Sequence, residues 1–302
     1  MYKISIEEIE AFLTVAAYKS FTRAAAELYV SQPTVTKWIK HLEAELGVRL
    51  LQRSSRSVEL TSAGNLLNAR WGGMRMEWET SVHLAQQLSD AQGCGCIRIG
   101  LLYGFDFESK LAPLASQFES LHPDLKIDPN LYGFDEIKEK AGSCDFLFTT
   151  NLEMESAPQY RTLRMARIPF YLAVAPQHPL AQRGSVTPWE IRRETFVVIS
   201  SQISSNIMAH FDEAFRPFQA SPTFVTVENV PSQFMKVSRQ EGVAITGKGF
   251  VKDHEAAVRL LKLENFSLEV YGVCAWRDEN LLEPARRFRD FMLETFAGKI
   301  SG

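Results

Sequence analysis

Apolar residues recur at three- and four-residue intervals from the start of the chain: Ile9, Phe12, Leu13 and Ala16, then Ala24, Ala25 and Leu28, then Val35, Ile39, Leu42 and Leu46. That spacing predicts three short amphipathic helices sharing one core. Tyr29 and Val30 leave room for only a short turn between the second and third, and the small residues Ala24 to Ala26 let those two helices approach closely. Thr22 is placed to cap the second helix and Ser31 the third, each accepting a backbone N–H that a first turn leaves unpaired. Pro33 falls in the first turn of the third helix, where a missing N–H costs nothing. Gly47 is a helix stop, and VRLLQRSSRSVELT after it reads as two short strands around an Arg-Ser-Ser-Arg tip.

From Thr61 the pattern is helical for about thirty residues, roughly 45 Å at helical rise. Leu67, Trp71, Met74, Trp78, Ser81, Ala85 and Leu88 alternate spacings of four and three, the pattern of a seam between two chains. Gly72 and Gly73 interrupt it, each costing about 1 kcal/mol in a helix interior, so a kink or a close helix crossing is expected there. Beyond residue 93 the periodicity changes. CIRIGLL, LKIDPNLY, DFLFTT, FYLAVA, FVVIS, VAITGKG and LEVYGVCAW are strand candidates, with helical stretches from Ser109 to Leu121 and in EPARRFRDFMLETF. Strands alternating with helices imply sheets covered on both faces.

Composition narrows the function. The 302 residues, 45% apolar, suffice for two or three domains. No run of about 18 apolar residues is present and the N-terminus lacks the layout of a signal peptide, so a cytoplasmic protein without a membrane partner is expected. Four cysteines, Cys94, Cys96, Cys144 and Cys274, are too few and too irregular for a disulfide framework or a four-ligand zinc site. The net charge of −3 conceals a basic segment: residues 19 to 56 hold seven Lys and Arg against three Glu, a local charge of +4. On a helical wheel Pro33, Lys37, Lys40 and Ala44 lie opposite the apolar stripe of the third helix, and Gln32, Thr34 and Thr36 edge its N-terminal end. Such a helix fits a DNA major groove, with short polar side chains meeting base edges and cations meeting phosphates. No nucleophile elbow, phosphate-binding loop or zinc-protease helix is present, so no catalytic residue, metal or cofactor is expected and the chain reads as a non-enzyme.

The segment FLTVAAYKSFTRAAAELYVSQPTVTKWIKHLEAELGVRLLQRSSRSVELTSAG resembles the N-terminal domain of LysR-type transcriptional regulators. It shares their alanine pair, Ser-Gln-Pro, Leu-Glu before Leu-Gly, paired wing arginines and closing Leu-Thr-Ser-Ala-Gly. IPFYLAVAPQHPLA is similar to the entry into the second lobe of that family's effector domain. The resemblance implies a multi-domain α+β chain: a winged helix-turn-helix at 1–60, a long dimerisation helix at 61–92, and a two-lobed α/β effector domain of periplasmic-binding-protein type II at 93–302. Lobe one is expected at 93–163 and 267–302, lobe two at 164–266. It further implies Gln32, Pro33, Thr34, Thr36, Lys37 and Lys40 on the reading helix, with Ser31 at its start and Thr22 and Arg23 on the helix before. Arg53 and Arg56 would lie on the wing. Trp38 departs from the family, which usually has Gln there; lying about 60 degrees from the core stripe, it is expected to pack at the helix edge.

The partners implied are a pseudo-palindromic operator in double-stranded DNA, a second copy in a homodimer or homotetramer, RNA polymerase, and a small-molecule co-inducer, with an anionic one expected. Strand ends and helix starts carry the free N–H groups that meet an anion. Ser200, Ser201, Ser204, Ser205 and Asn206 gather at such a junction in ISSQISSN. Tyr103 and Gly104, Thr149 and Thr150, and Thr246 with Lys248 are the matching positions. Lys248 stands where many relatives are apolar, and either supplies a cation to a carboxylate or points outward. Two alternatives remain: redox control through Cys94 and Cys96, and a small-molecule binding protein without a transcriptional role.

Overall fold

The structure, a computed structural model, describes residues 2–53, 58–89, 95–155, 157–200, 207–218, 222–252, 254–266 and 268–297. They form two compact units, Met1–Val82 and His83–Gly302.

In the first unit α1 (Ile6–Tyr18), α2 (Phe21–Glu27) and α3 (Gln32–Leu46) precede a two-stranded antiparallel ribbon of β1 (Leu51–Arg53) and β2 (Val58–Leu60), then α4 (Ser62–Ser89). Ser5 and Glu8 form a reciprocal capping box at α1. Ser31 caps α3 by accepting the Thr34 N–H at 3.3 Å, as its position predicts. At α2 the cap is Ser20, which accepts the Arg23 N–H at 3.3 Å, and not Thr22. The helix already begins at Phe21, so Thr22 lies inside the first turn, among the residues whose N–H groups need a cap. Phe12, Val15, Ala24, Val35, Ile39, Leu42 and Leu50 are fully buried in one cluster, and Trp38 packs half-buried at its edge, as the wheel predicts. A Val, Leu, Ile or Phe side chain contributes about 1.5–3 kcal/mol when fully buried.

α4 is a continuous helix of 28 residues through Gly72 and Gly73, and a Cβ at either glycine would meet nothing within 4 Å. The expected seam divides. Leu67 and Trp71 turn inward onto the core, Trp71 edge-on to Phe12 at 5.7 Å, whereas Met74 and Trp78 are each 61% exposed.

The second unit contains β3 (Gly95–Leu102), α5 (Phe107–Leu121), β4 (Leu125–Tyr132), α6 (Phe134–Lys140), β5 (Phe146–Thr150), α7 (Asn151–Met154), β6 (Arg161–Arg167), β7 (Phe170–Val174), β8 (Ser185–Val186), α8 (Pro188–Ile191), β9 (Thr195–Ile199), α9 (Ile207–Phe215), β10 (Thr223–Val227), α10 (Val230–Ser238), β11 (Ala244–Gly247), β12 (Arg259–Leu263), β13 (Tyr271–Trp276) and α11 (Glu283–Ala297). One five-stranded sheet runs β4-β3-β5-β13-β6, with β3 parallel to both neighbours and β13 antiparallel to its own. A four-stranded sheet runs β11-β7-β12-β8, and β9 pairs in parallel with β10. α5 and α11 cover the first sheet, the Phe288 ring meeting Phe118 at 5.1 Å and Phe146 at 5.3 Å. β6 stays in that sheet as far as Arg167, so residues 164–167, expected in the second lobe, pair with β13 instead.

Candidate functional site

α3 is the helix of the first unit on which most of the candidate residues lie. Ser31, Gln32, Pro33, Lys37 and Lys40 are exposed and Thr34 and Thr36 half-buried. Ser31 and Thr34 hold the first turn, their hydroxyls 2.8 Å apart, which leaves Gln32 and Thr36 as the polar edge with Pro33 exposed between them. Thr22 and Arg23 are exposed at the start of α2. Arg53 is the last residue of β1, and Arg56 lies outside the described residues.

Charge on this surface is sorted by hydrogen bonding. Glu8 lies 2.6 Å from His41 Nδ1 and thereby ties α1 to α3. Glu43 Oε1 accepts the N–H groups of Leu50 and Leu51 at 2.7 and 3.1 Å, fastening the ribbon to α3. Glu45 accepts the Lys3 N–H, Glu27 the Tyr18 hydroxyl, and Glu10 faces Arg75. The carboxylates thus serve the fold. Among the described residues Lys37, Lys40 and Arg49 have no acidic partner within ion-pair reach. Lys37 and Lys40 along the outward face of α3, and Arg49 just beyond its end, make a surface for a polyanion.

In the second unit the register Leu101↔Phe148 sets the ends of β3 and β5 side by side, so Tyr103, just after β3, lies level with Thr150, the last residue of β5. Gly104 has φ +90, and a Cβ there would run into the Phe250 ring. Phe250, in the turn Lys248–Val251 after β11, meets Tyr103 at 5.9 Å, Phe105 at 5.2 Å and Phe134 at 6.0 Å. Tyr103, Gly104 and the stretch from Gly247 to Gly249 therefore come together around an aromatic cluster that the sequence did not single out. Lys252 adds an ion pair to Asp106 at 3.1 Å, and the Ser109 hydroxyl, foremost, with Lys252 holds the Asp106 carboxyl below its ordinary pKa. Ring spacing offered no signal for Phe250, because its neighbours are more than a hundred residues away in the chain.

The polar positions separate. Thr149 is fully buried and its hydroxyl lacks a hydrogen-bond partner among the described residues. Thr150 caps α7, accepting the Glu153 N–H at 3.4 Å. Thr246 is buried and donates to the Gly247 carbonyl at 3.3 Å, while Lys248 is exposed. Ser200 is exposed; Ser201, Ser204, Ser205 and Asn206 lie outside the described residues. For redox chemistry, burial pushes the Cys144 thiol up to about 11 and raises Cys274 as well, so neither is a ready thiolate. Cys96 is exposed and Cys94 lies outside the described residues. No cluster of three metal-binding side chains occurs among the described residues, and no described helix is long and apolar enough to cross a membrane.

Two family models match this chain: bacterial regulatory helix-turn-helix protein, lysR family, over residues 6–65, and LysR substrate binding domain, over residues 90–297. It is 24% identical over 291 residues to the HTH-type transcriptional regulator AlsR of Bacillus subtilis, covering 92% of this chain and 91% of that one. It is 26% identical over 251 residues to the HTH-type transcriptional regulator BenM of Acinetobacter baylyi, covering 80% of each. Among solved structures, full-length CbnR complexed with its target DNA matches with TM-score 0.51 at 20% identity, covering 95% of this chain and 98% of that one. The effector binding domain of QuiR in complex with shikimate matches with TM-score 0.55 at 19% identity, covering 67% and 96%.

Proposed function

The chain belongs to the LysR family of bacterial helix-turn-helix regulators, and from that premise we propose that paired copies read a pseudo-palindromic DNA site through α3 under control of a small molecule held by the second unit. A DNA-binding transcriptional regulator, not an enzyme, is what family membership makes it. The observation that carries the DNA-reading geometry is the face of α3, where among the described residues Lys37 and Lys40 lack acidic partners while neighbouring carboxylates are engaged in caps and ties. Gln32 and Thr36 read bases; Lys37, Lys40, Arg23 and the wing arginines Arg53 and Arg56 meet phosphates; Thr22, Ser31, Pro33 and Thr34 shape the approach.

The division of domains proposed is 1–60 for DNA, 61–92 for dimerisation and 93–302 for the effector, in a homodimer or homotetramer that meets RNA polymerase in the cytoplasm. The effector is an anionic small molecule. The exposed Lys248 favours a carboxylate, and the solved relative QuiR holds shikimate in its domain. Tyr103, Gly104, Thr149, Thr150, Ser200, Ser201, Ser204, Ser205, Asn206 and Thr246 remain the surrounding set, with the unpartnered Thr149 hydroxyl available to a ligand.

Selecting genomic fragments with purified protein gives the operator. On it, Lys40→Ala is expected to weaken binding to all duplexes and flatten the salt dependence, and Gln32→Ala to relax preference at particular bases. Equal loss on operator and random DNA for both variants would contradict the division of roles. For the effector, calorimetry on small carboxylates is expected to show binding weakened by Lys248→Ala; tight binding of neutral compounds alone overturns the anionic assignment.

A further inference from the structure

Where the C-terminal half of α3 meets the ribbon, Lys40, Glu43, Arg49, Leu51 and Gln52 enclose a depression of about 530 Å³. The depression is held in shape from two sides. Glu43 binds the N–H groups of Leu50 and Leu51, and the Thr61 hydroxyl donates to the Arg49 carbonyl oxygen at 2.7 Å. Leu51 is buried, whereas Lys40, Arg49 and Gln52 are exposed, and neither cation has an acidic partner among the described residues. Among the described residues of the lining the one carboxylate, Glu43, has an oxygen already answered by two backbone N–H dipoles, so two cations against one acid leave the depression positive.

We propose that this depression is a phosphate-binding site and that its ligand is a phosphodiester of the DNA strand running beside α3. The inference rests on the duplex-binding reading above and adds Arg49 and Gln52 to it. An arginine fork grips two phosphate oxygens at once, a lysine adds a point charge, and a glutamine amide donates a further hydrogen bond. A lone anion in so open a place stays hydrated and binds weakly, whereas one phosphate among many on a duplex brings counterion release with it. The tie from Glu43 makes the site a register device: it links the phosphate gripped by Arg49 to the base edges met about two and three turns earlier on α3.

The test uses full-length protein, the selected operator and an unrelated duplex of equal length, titrated by fluorescence anisotropy across a salt series. Arg49→Gln is expected to lower affinity for both duplexes by the same factor, about eightfold per bound subunit at 0.1 M salt, and to reduce the slope of log K against log salt by about 0.9 per subunit. Arg49→Lys is expected to keep the slope and recover part of the affinity. Ethylation interference should lose one phosphate per half-site in Arg49→Gln and keep the rest. Unchanged affinity and slope in Arg49→Gln, with wild type still binding, overturns the site alone; wild type that binds no duplex overturns the DNA reading with it. Loss confined to the operator makes Arg49 a base reader instead. Inorganic phosphate at constant ionic strength is expected not to compete; saturable phosphate binding lost in Arg49→Gln, without an effect on DNA, would assign the site to a free anion and overturn the proposal. Circular dichroism of each variant matching wild type keeps the comparison one of binding.

Discussion

Gly64 carries no side chain because none fits: a Cβ there would lie inside van der Waals contact of the Leu50 carbonyl oxygen. The first turn of α4 and the entry to β1 are thus in backbone contact, and Thr61 secures both, donating to Arg49 and accepting the Gly64 N–H at 3.0 Å. Gly64→Ala is expected to cost about 1–3 kcal/mol, the range for forced overpacking, measured as a lower urea midpoint of the N-terminal unit. Ala at Gly72, where nothing lies within 4 Å, should be neutral or stabilising by up to about 1 kcal/mol. Thiol chemistry divides as sharply. Cys144, raised by burial to about 11, should resist iodoacetamide at pH 8, where Cys96, exposed, is alkylated. Mass spectrometry after timed quenching reads both, and equal rates at the two sites contradict the burial argument. Ser31 could be read directly as a cap because its role is settled within three residues of chain, whereas Thr22 lost the same role to Ser20 by a shift of helix start that periodicity does not resolve.

Along α4 two tryptophans seven residues apart do different work. Trp71 closes the core of the first unit over Phe12, and Trp78, on the same repeat, faces outward. Met74, Trp78 and Val82 follow one another at four-residue intervals and are all exposed, an apolar stripe suited to a second copy of the helix. Trp71→Ala should therefore destabilise the N-terminal unit by about 2–3 kcal/mol, below the 3–5 of a fully buried ring, in denaturant melts. Trp78→Ala should leave that stability nearly unchanged and weaken self-association, read as a rising dissociation constant in sedimentation. If the two variants exchanged their effects, the division of the seam would be wrong. Heptad spacing marks both residues alike, since it reports which side of a helix is apolar and not which neighbour covers it.

Two compact units imply two cooperative transitions. Calorimetry should resolve them, and an effector at a hundred times its Kd should stabilise only the second, by about 2.7 kcal/mol; a shift of the first alone would place the ligand elsewhere. Much of this organisation is legible in the chain itself. Helices α1 to α4, the ribbon, and β3, β4, β5, β7, β9, β11 and β13 announce themselves through periodicity, caps and turn residues, because those depend on neighbours a few positions away. The basic outward stripe of α3 follows from the same local geometry. β6, β8, β10 and β12 escaped it: RTLRMAR carries an arginine at three of its seven positions yet pairs with β13, a partner more than a hundred residues distant. Likewise, packing alone turned Trp71 inward and Trp78 outward, brought Phe250 against Tyr103, Phe105 and Phe134, and set Arg49 beside Lys40. Spacing along a chain determines which faces exist; which faces meet depends on contacts that become favourable only when distant segments are covered together.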